Sequence, residues 1–359
     1  MARLEVTLVS RVRLNPYVRL LAQALRRLEP GAAISEVRDV SVGRALVGLG
    51  RQRIWHLHWP ELLYRSPRGT VAALRWARFA LALACFRATG GRLVHTVHNL
   101  DPHEWHHPRL DRWTERLLRR WADALHVHDH QAQAEVARRW RREDAVVIPH
   151  GNYIGAYPQG CDRREARARL GLPPEALVFL CLGGLRPYKG VEELVAAFRA
   201  LEAQEPRAWL LVAGHAHDPA YARRLAADLQ GAERVRFVPA HIPDDEVQVY
   251  MAAADFAVFP YRRATTSGAA VLALSFGVPV IAPALGPFPE LLAQGGGILY
   301  PPERREGLLE ALQGALHADR ERMAQEAWAV ARALDWDAVA REFLALYRRL
   351  VGGPGEGAA

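Results

Sequence analysis

Lysine is almost missing from this chain: of 47 strong bases, Lys189 is the one that is not an arginine. Cysteine is scarce as well, with Cys85, Cys161 and Cys181 scattered over 359 residues. That spacing excludes a disulfide framework and a CxxC metal knuckle, and the three read as packing residues. No run reaches the eighteen or so unbroken apolar residues of a spanning helix, and MARLEVTLVS reads as a first strand rather than an export signal. A cytoplasmic protein is therefore expected. No GxGxxG follows the first strand, which counts against a dinucleotide-dependent oxidoreductase, and no repeat of solenoid length is visible.

What is present is a chain with 50% hydrophobic and 24% charged residues and a formal charge of +8. Disordered and fibrous classes are excluded, and the charge favours an anionic partner: nucleic acid, an acidic membrane or a phosphorylated small molecule. Short apolar runs alternate with helical patterns, the signature of parallel sheets with crossover helices. The fold class is α/β with two Rossmann-like domains. The first, 1–155, has strands expected at Leu4–Val9, Arg53–Leu57, Leu93–Val97, Ala124–Val127 and Val146–Ile148. Gly151–Cys161, rich in Gly, Pro and Tyr, reads as the connection. The second domain, 165–335, has strands expected at Val178–Cys181, Trp209–Ala213, Val235–Val238, Phe256–Phe259, Val280–Ala282 and Ile298–Tyr300, and 336–359 is a closing helix and tail. Two such domains facing a cleft place a ligand outside the carboxyl ends of the strands.

Two loops are suited to an anion. Gly183-Gly184-Leu185-Arg186-Pro187-Tyr188-Lys189-Gly190 lies between a strand and a helix, where glycines allow close backbone approach and Arg186 and Lys189 supply charge for a diphosphate. Thr265-Thr266-Ser267-Gly268-Ala269 also follows a strand. Thr266 and Ser267 can cap the next helix while the amides of Ser267, Gly268 and Ala269 face an anion.

Eleven of the fifteen histidines fall in the first 150 residues. His103-Glu104-Trp105-His106-His107 matches the HExxH of zinc hydrolases, but Pro102 and Pro108 leave about two helical turns, too short for a catalytic zinc helix. His98 ends a strand at the carboxyl edge of its sheet, where an imidazole can hold a proton or bond a hydroxyl. His58-Trp59-Pro60-Glu61 ends another strand, and Trp59 either stacks on a sugar ring or fills the core.

With these residues in view, GGLRPYKG, VRFVPAHIPDDEVQVYMAAADFAVFP, TTSGAAVLALSFGVPVIAP and GPFPELL resemble the nucleotide-binding half of the GT-B glycosyltransferases of the large family-four-like group. NPYVRLL, HLHWPE and HTVHNLDPHE resemble the acceptor-binding half of its bacterial exopolysaccharide and lipid-linked-sugar members. The resemblance implies a hexosyltransferase using a GDP- or UDP-linked sugar and a lipid-linked or other glycan acceptor. By that likeness Lys189 holds the donor diphosphate, Glu290 matches an acidic residue of the donor site, and His241 and Ile242 fall where the nucleobase is met. His98 falls near the transferred sugar, and His58, Trp59 and Glu61 fall on the acceptor side. Two departures stand out. Gly184 replaces the usual arginine, leaving Arg186 as a displaced substitute, and the usual paired glutamates fall on Ala264 and Leu272. A TSG cluster in their place resembles the inverting mannosyltransferase that extends lipid-linked chitobiose in eukaryotes. Inversion needs a base on the acceptor hydroxyl, for which His98, Glu104 and Asp101 are the nearest candidates.

No divalent metal or other cofactor is expected, because two cations and two helix ends neutralise the leaving group and no Asp-x-Asp cluster is positioned for manganese. The stretch 62–92 interleaves arginines with Leu, Trp and Phe, which suits peripheral attachment to the inner face of an anionic membrane or, alternatively, a buried crossover helix. An arginine-rich nucleic-acid binder is the rival class, but the arginines are spread through both halves without a compact basic module, so no nucleic-acid partner is expected.

Overall fold

The computed structural model describes residues 3–48, 52–100 and 107–352. It forms two compact units: Met1–Gly151 together with Asp335–Ala359, and Asn152–Leu334. The last helix, expected from sequence as a separate closing piece, therefore belongs to the first unit. The division after Gly151 falls four residues earlier than the expected end of the first domain.

The first unit is built on six parallel strands, β1 (Leu4–Val9), β2 (Ala33–Val37), β3 (Gln52–His58), β4 (Arg92–Thr96), β5 (Ala124–Val127) and β6 (Val146–Val147). They lie in the order β2-β1-β3-β4-β5-β6. Five of these strands match the sequence expectation closely. β2 has no counterpart there because AISEV is an edge strand with no fully buried residue, so it lacks the apolar run that marks its neighbours. Tyr17, Leu21 and Leu25 of the helix Tyr17–Leu28 pack with Trp336, Phe343 and Tyr347 of the helix Trp336–Val351 over Val6, Leu8 and Val94. On the other face, Phe79, Leu83 and Phe86 of the helix Gly69–Ala88 pack with Trp55 and Leu57. That helix is long and apolar enough to cross a membrane by length and composition alone.

The second unit repeats the plan with β7 (Leu177–Leu182), β8 (Ala208–Ala213), β9 (Val235–Val238), β10 (Phe256–Val258), β11 (Val280–Pro283) and β12 (Gly297–Tyr300). The order is β12-β11-β10-β7-β8-β9, all parallel. Asp255, just ahead of β10, accepts the Val178 amide of β7 at 2.7 Å and the Arg167 guanidinium at 2.8 Å. This locks together the two strands at which the order reverses. In open parallel sheets such a reversal opens a crevice beyond the carboxyl ends, which is where ligands bind. The corresponding reversal in the first unit lies between β1 and β3.

Candidate active site

In the second unit both anion-suited loops leave the strands that flank the reversal. Gly183–Gly190 follows β7, and the segment ending in Ser267 follows β10. They are packed together: the Arg262 amide donates to the Tyr188 carbonyl at 2.8 Å. Gly190 has φ +66°, and a Cβ there would lie 2.0 Å from the Pro260 carbonyl oxygen, so only glycine permits this approach. Lys189 sits half-buried with its ammonium 5.1 Å from the Tyr261 ring centroid. Burial holds that ammonium below its ordinary pKa, and the charge of Arg186 acts in the same direction. An anion at this point would relieve both effects.

Ser267 is buried and caps the helix Gly268–Ser275, its Oγ accepting from the Ala270 amide at 3.2 Å. Of the two hydroxyls expected as caps, Ser267 fills the role and Thr266 stays half-buried beside it. The first-turn amides of Gly268 and Ala269 remain available as donors, and the helix dipole adds partial positive charge. Arg263 lies over the Tyr188 ring at 5.5 Å. Arg262, in contrast, pairs with Glu193 at 2.6 Å and carries little free charge.

Sequence reasoning missed a third loop here. After β8, Gly214 has φ +146°, and a Cβ on it would meet the Gly183 carbonyl oxygen at 1.9 Å. Leu185 and Ala216 then form a parallel bridge, which brings His215 and His217, rings 5.0 Å apart, beside Gly184. The signal was AGHAH directly after a strand. His241 is exposed in the loop after β9, Ile242 is half-buried against the core, and Glu290 is exposed on the short helix Phe288–Leu291.

The first unit presents a different edge. Among the described residues seven histidines are buried in it: His56, His58, His95, His98, His126, His128 and His150. Their hydrogen bonds have a direction, because a carbonyl can only accept. The Ile148 carbonyl takes Nδ1–H of His128 at 3.4 Å and Nε2–H of His126 at 2.9 Å. His128 Nε2 must then accept from His98 Nδ1 (3.3 Å), and His98 Nε2 must accept from His58 Nδ1 (3.0 Å). Along the other branch, His126 Nδ1 accepts from the Thr96 hydroxyl (2.9 Å), which accepts from His56 Nε2 (2.6 Å). His56 Nδ1 in turn accepts from Tyr347 Oη–H at 2.7 Å. Both branches require neutral rings. Burial, reinforced by neighbouring imidazoles, holds His56, His58, His98 and His128 well below their ordinary pKa, while burial brings His95 and His150 to about 4 and His126 to about 3.

His98 thus uses both ring nitrogens on other histidines, and Trp59 stacks on its face at 3.7 Å. Trp59 is half-buried, with φ +48°, so its indole serves this stack as well as the local packing. His58 is fully buried, whereas Glu61, opening the short helix Glu61–Tyr64, is half-buried. Glu104, Asp101 and the HExxH residues 103–106 lie outside the described residues. His107, the last histidine of that motif, donates through Nε2 to the Ser66 carbonyl at 2.7 Å. Among the described residues no group of three or more His, Cys, Asp or Glu is arranged to hold a metal ion.

Comparison with known proteins identifies the family and the fold. Residues 162–329 match the model of the family "Glycosyl transferases group 1". The chain is 33% identical over 279 residues to the GDP-mannose:glycolipid 4-beta-D-mannosyltransferase of Xanthomonas campestris pv. campestris, covering 75% of this chain and 70% of that protein. It is 30% identical over 276 residues to the D-inositol 3-phosphate glycosyltransferase of Corynebacterium efficiens, covering 71% and 65%. Among solved structures, sucrose-phosphate synthase from Thermosynechococcus elongatus superimposes with a TM-score of 0.70 at 22% identity, covering 98% of this chain and all of that one. Anabaena HepE in complex with UDP and glucose gives 0.72 at 17%, covering 96% and 99%; these likenesses establish the shared fold. The chain belongs to the group 1 glycosyltransferases, with the two-sheet GT-B fold.

Proposed function

We propose that this enzyme transfers a mannosyl residue from GDP-mannose to a lipid-linked glycan, with inversion and without a divalent metal. The observation that carries this reading is the 33% identity, over three quarters of the chain, to a GDP-mannose:glycolipid 4-beta-D-mannosyltransferase. The donor sugar is α-linked in GDP-mannose, so a β product means inversion. In this reading Lys189, Arg186 and the amides of Ser267, Gly268 and Ala269 hold the diphosphate, and the backbone at His241 and Ile242 meets the base. Gly184 leaves room for the diphosphate, Thr266 and Glu290 reach the donor's sugars, and His58, Trp59 and Glu61 serve the acceptor. His98, neutral and bonded on both nitrogens, acts by fixing Trp59 and His58 rather than by moving a proton. Two cations and a helix N-terminus suffice to stabilise the departing diphosphate.

The test is transfer from GDP- and UDP-linked hexoses to a glycolipid acceptor, with the product anomer read by NMR and EDTA added in a parallel reaction. A β-mannosylated lipid formed at an unchanged rate in EDTA is expected. A preference for a UDP-sugar, an α product, or loss of activity with EDTA would each overturn the corresponding part.

We also propose that the first unit attaches peripherally to the inner, anionic face of a membrane. One face of the helix Gly69–Ala88 exposes Leu74, Arg78 and Leu81, and the helix Pro108–Trp121 exposes Arg109, Trp113 and Arg116. Trp76 and Trp113, 5.4 Å apart, join the two helices. Apolar side chains among arginines suit the headgroup boundary. In flotation assays, binding to anionic vesicles at low salt that fades at high salt is expected, and equal binding to neutral vesicles would refute an electrostatic contact.

A further inference from the structure

An inverting transfer needs a group that accepts the proton of the attacking hydroxyl, and His58, His98 and His128 of the buried network are poorly placed to be that group. His98 has its single lone pair engaged by His58, and His128 has its own engaged by His98. His58 does retain a buried Nε2 without a hydrogen-bond partner. It does not line the cavity described below, however, and burial disfavours an imidazolium there.

Beside His98 is a cavity of about 70 Å³ whose lining includes Trp59, Glu61, His98, Asn99, Asp111 and Glu115. It has room for roughly two waters, the size of one hydroxyl-bearing edge of a sugar. An indole, an amide and carboxyls around a small polar cavity form a surface suited to carbohydrate. The three carboxyls are not equivalent. Asp111 accepts the Tyr64 hydroxyl at 2.8 Å, so part of its acceptor capacity is committed to the fold. Glu115 stands on the middle of the helix Pro108–Trp121. Glu61 follows directly on the turn that places Trp59 over His98, beyond the carboxyl end of β3 and so at the reversal of the sheet.

We propose that Glu61 is the catalytic base, and this rests on the inverting reading given above. Its carboxylate removes the proton from the acceptor hydroxyl as that oxygen bonds to C1 of the donor sugar. The C1–O bond to the diphosphate breaks, and the nucleotide leaves with the electron pair. The proton ends on Glu61 and is then lost to solvent, so no further reactant is needed.

The surroundings of Glu61 suit the task. Burial raises its pKa and the charge of Asp111 adds to this, while its own backbone amide and Arg65 act in the opposite direction. Glu115, from the same helix as Asp111, the neutral His95 and His98, and the Tyr64 hydroxyl, which burial holds above its ordinary pKa and which donates to Asp111, complete the titratable lining. A desolvated carboxylate is a stronger base than a solvated one, and it is charged only above its raised pKa. The rate is therefore expected to rise with pH through an acid limb lying above the usual carboxylate range.

The experiment compares wild type with Glu61→Gln and Glu61→Asp, using a sugar nucleotide and a glycolipid acceptor from which the wild type gives product. Glu61→Gln should lower kcat by roughly 10²- to 10⁴-fold. It should also flatten the acid limb and leave the thermal shift produced by GDP unchanged, while Glu61→Asp restores part of the rate and the limb. Retention of kcat in Glu61→Gln, or transfer of the effect to Glu104→Gln or Asp101→Asn, would overturn the assignment alone. An α product would overturn it too, since retention needs no such base. Wild-type inactivity with every sugar nucleotide would instead overturn the reading of function on which it rests. The intrinsic fluorescence of the first unit, which holds eight of the ten tryptophans, separates a misfolded variant from a chemically impaired one.

Discussion

Each unit reverses its strand order once, and the two reversals are furnished with opposite chemistry. Beyond β7 and β10 lie glycines, first-turn amides and the cations Arg186 and Lys189. Beyond β3, which flanks the reversal between β1 and β3, and beyond its other neighbour β4 lie neutral imidazoles, an indole and carboxyls. One edge is suited to a diphosphate and the other to hydroxyls. The same backbone plan therefore sets where a ligand goes, and side chains alone set which kind. The difference should be measurable, because one edge is stabilised by anions and the other is sensitive to protons.

The largest expected effect is acid unfolding of the first unit. Its buried histidines have folded pKa values below the ordinary value near 6.5, so above that pH both folded and unfolded states are neutral and nothing is gained or lost. As pH falls through about 6.5 the unfolded chain takes up protons that the folded unit refuses. Stability is then lost progressively: His95 and His150 stop adding to the loss near about 4 and His126 near about 3, while His56, His58, His98 and His128, held well below their ordinary pKa, extend it further. Eight of the ten tryptophans lie in this unit, so intrinsic fluorescence should report its transition first. GDP-induced protection of the second unit should persist to lower pH. Simultaneous loss of both signals would erase the contrast.

Lys189→Ala should come next, costing about 2–4 kcal/mol of transition-state stabilisation and most of the GDP thermal shift. Steady-state kinetics with unchanged kcat/KM would remove Lys189 from the donor site. Gly214→Ala should cost about 2–3 kcal/mol in urea unfolding, through its positive φ and the clash with the Gly183 carbonyl. It should weaken GDP binding in parallel, because the loops after β7 and β8 lean on each other there. Tyr347→Phe should be the mildest, at about 1–2 kcal/mol, by removing the hydroxyl that donates to His56 Nδ1. An unchanged urea midpoint would mean that the directed chain adds nothing to stability.

The two edges also differed in how far they could be read from sequence. GGLRPYKG and TTSG are local: each places its glycines, cations or cap within a few residues of a strand end, so their chemistry was visible in one dimension. The histidine network is not local. Its partners sit at alternate positions of β3, β4 and β5, meet only because those strands pair in register, and are closed by Tyr347 nearly three hundred residues away. From sequence His98 consequently reads as a cleft-facing residue at the sheet edge, and its stacking beneath Trp59 was hidden. β2 escaped for the opposite reason, since an edge strand need not be apolar. The Asp111–Tyr64 contact that shapes the cavity joins two helices whose spacing no motif records.

The helix Trp336–Val351 carries one more consequence, for the order in which the chain folds. Residues 152–334 form a contiguous unit and can fold once they have been made. The first unit cannot be completed at that stage, because Tyr17 still lacks Trp336, whose ring lies 5.3 Å from its own, and His56 still lacks Tyr347. Its closing contacts span about three hundred residues, a loop-closure cost the second unit never meets. The unit that begins the sequence should therefore be the last to become native, waiting through synthesis with its apolar helix Gly69–Ala88 already emerged.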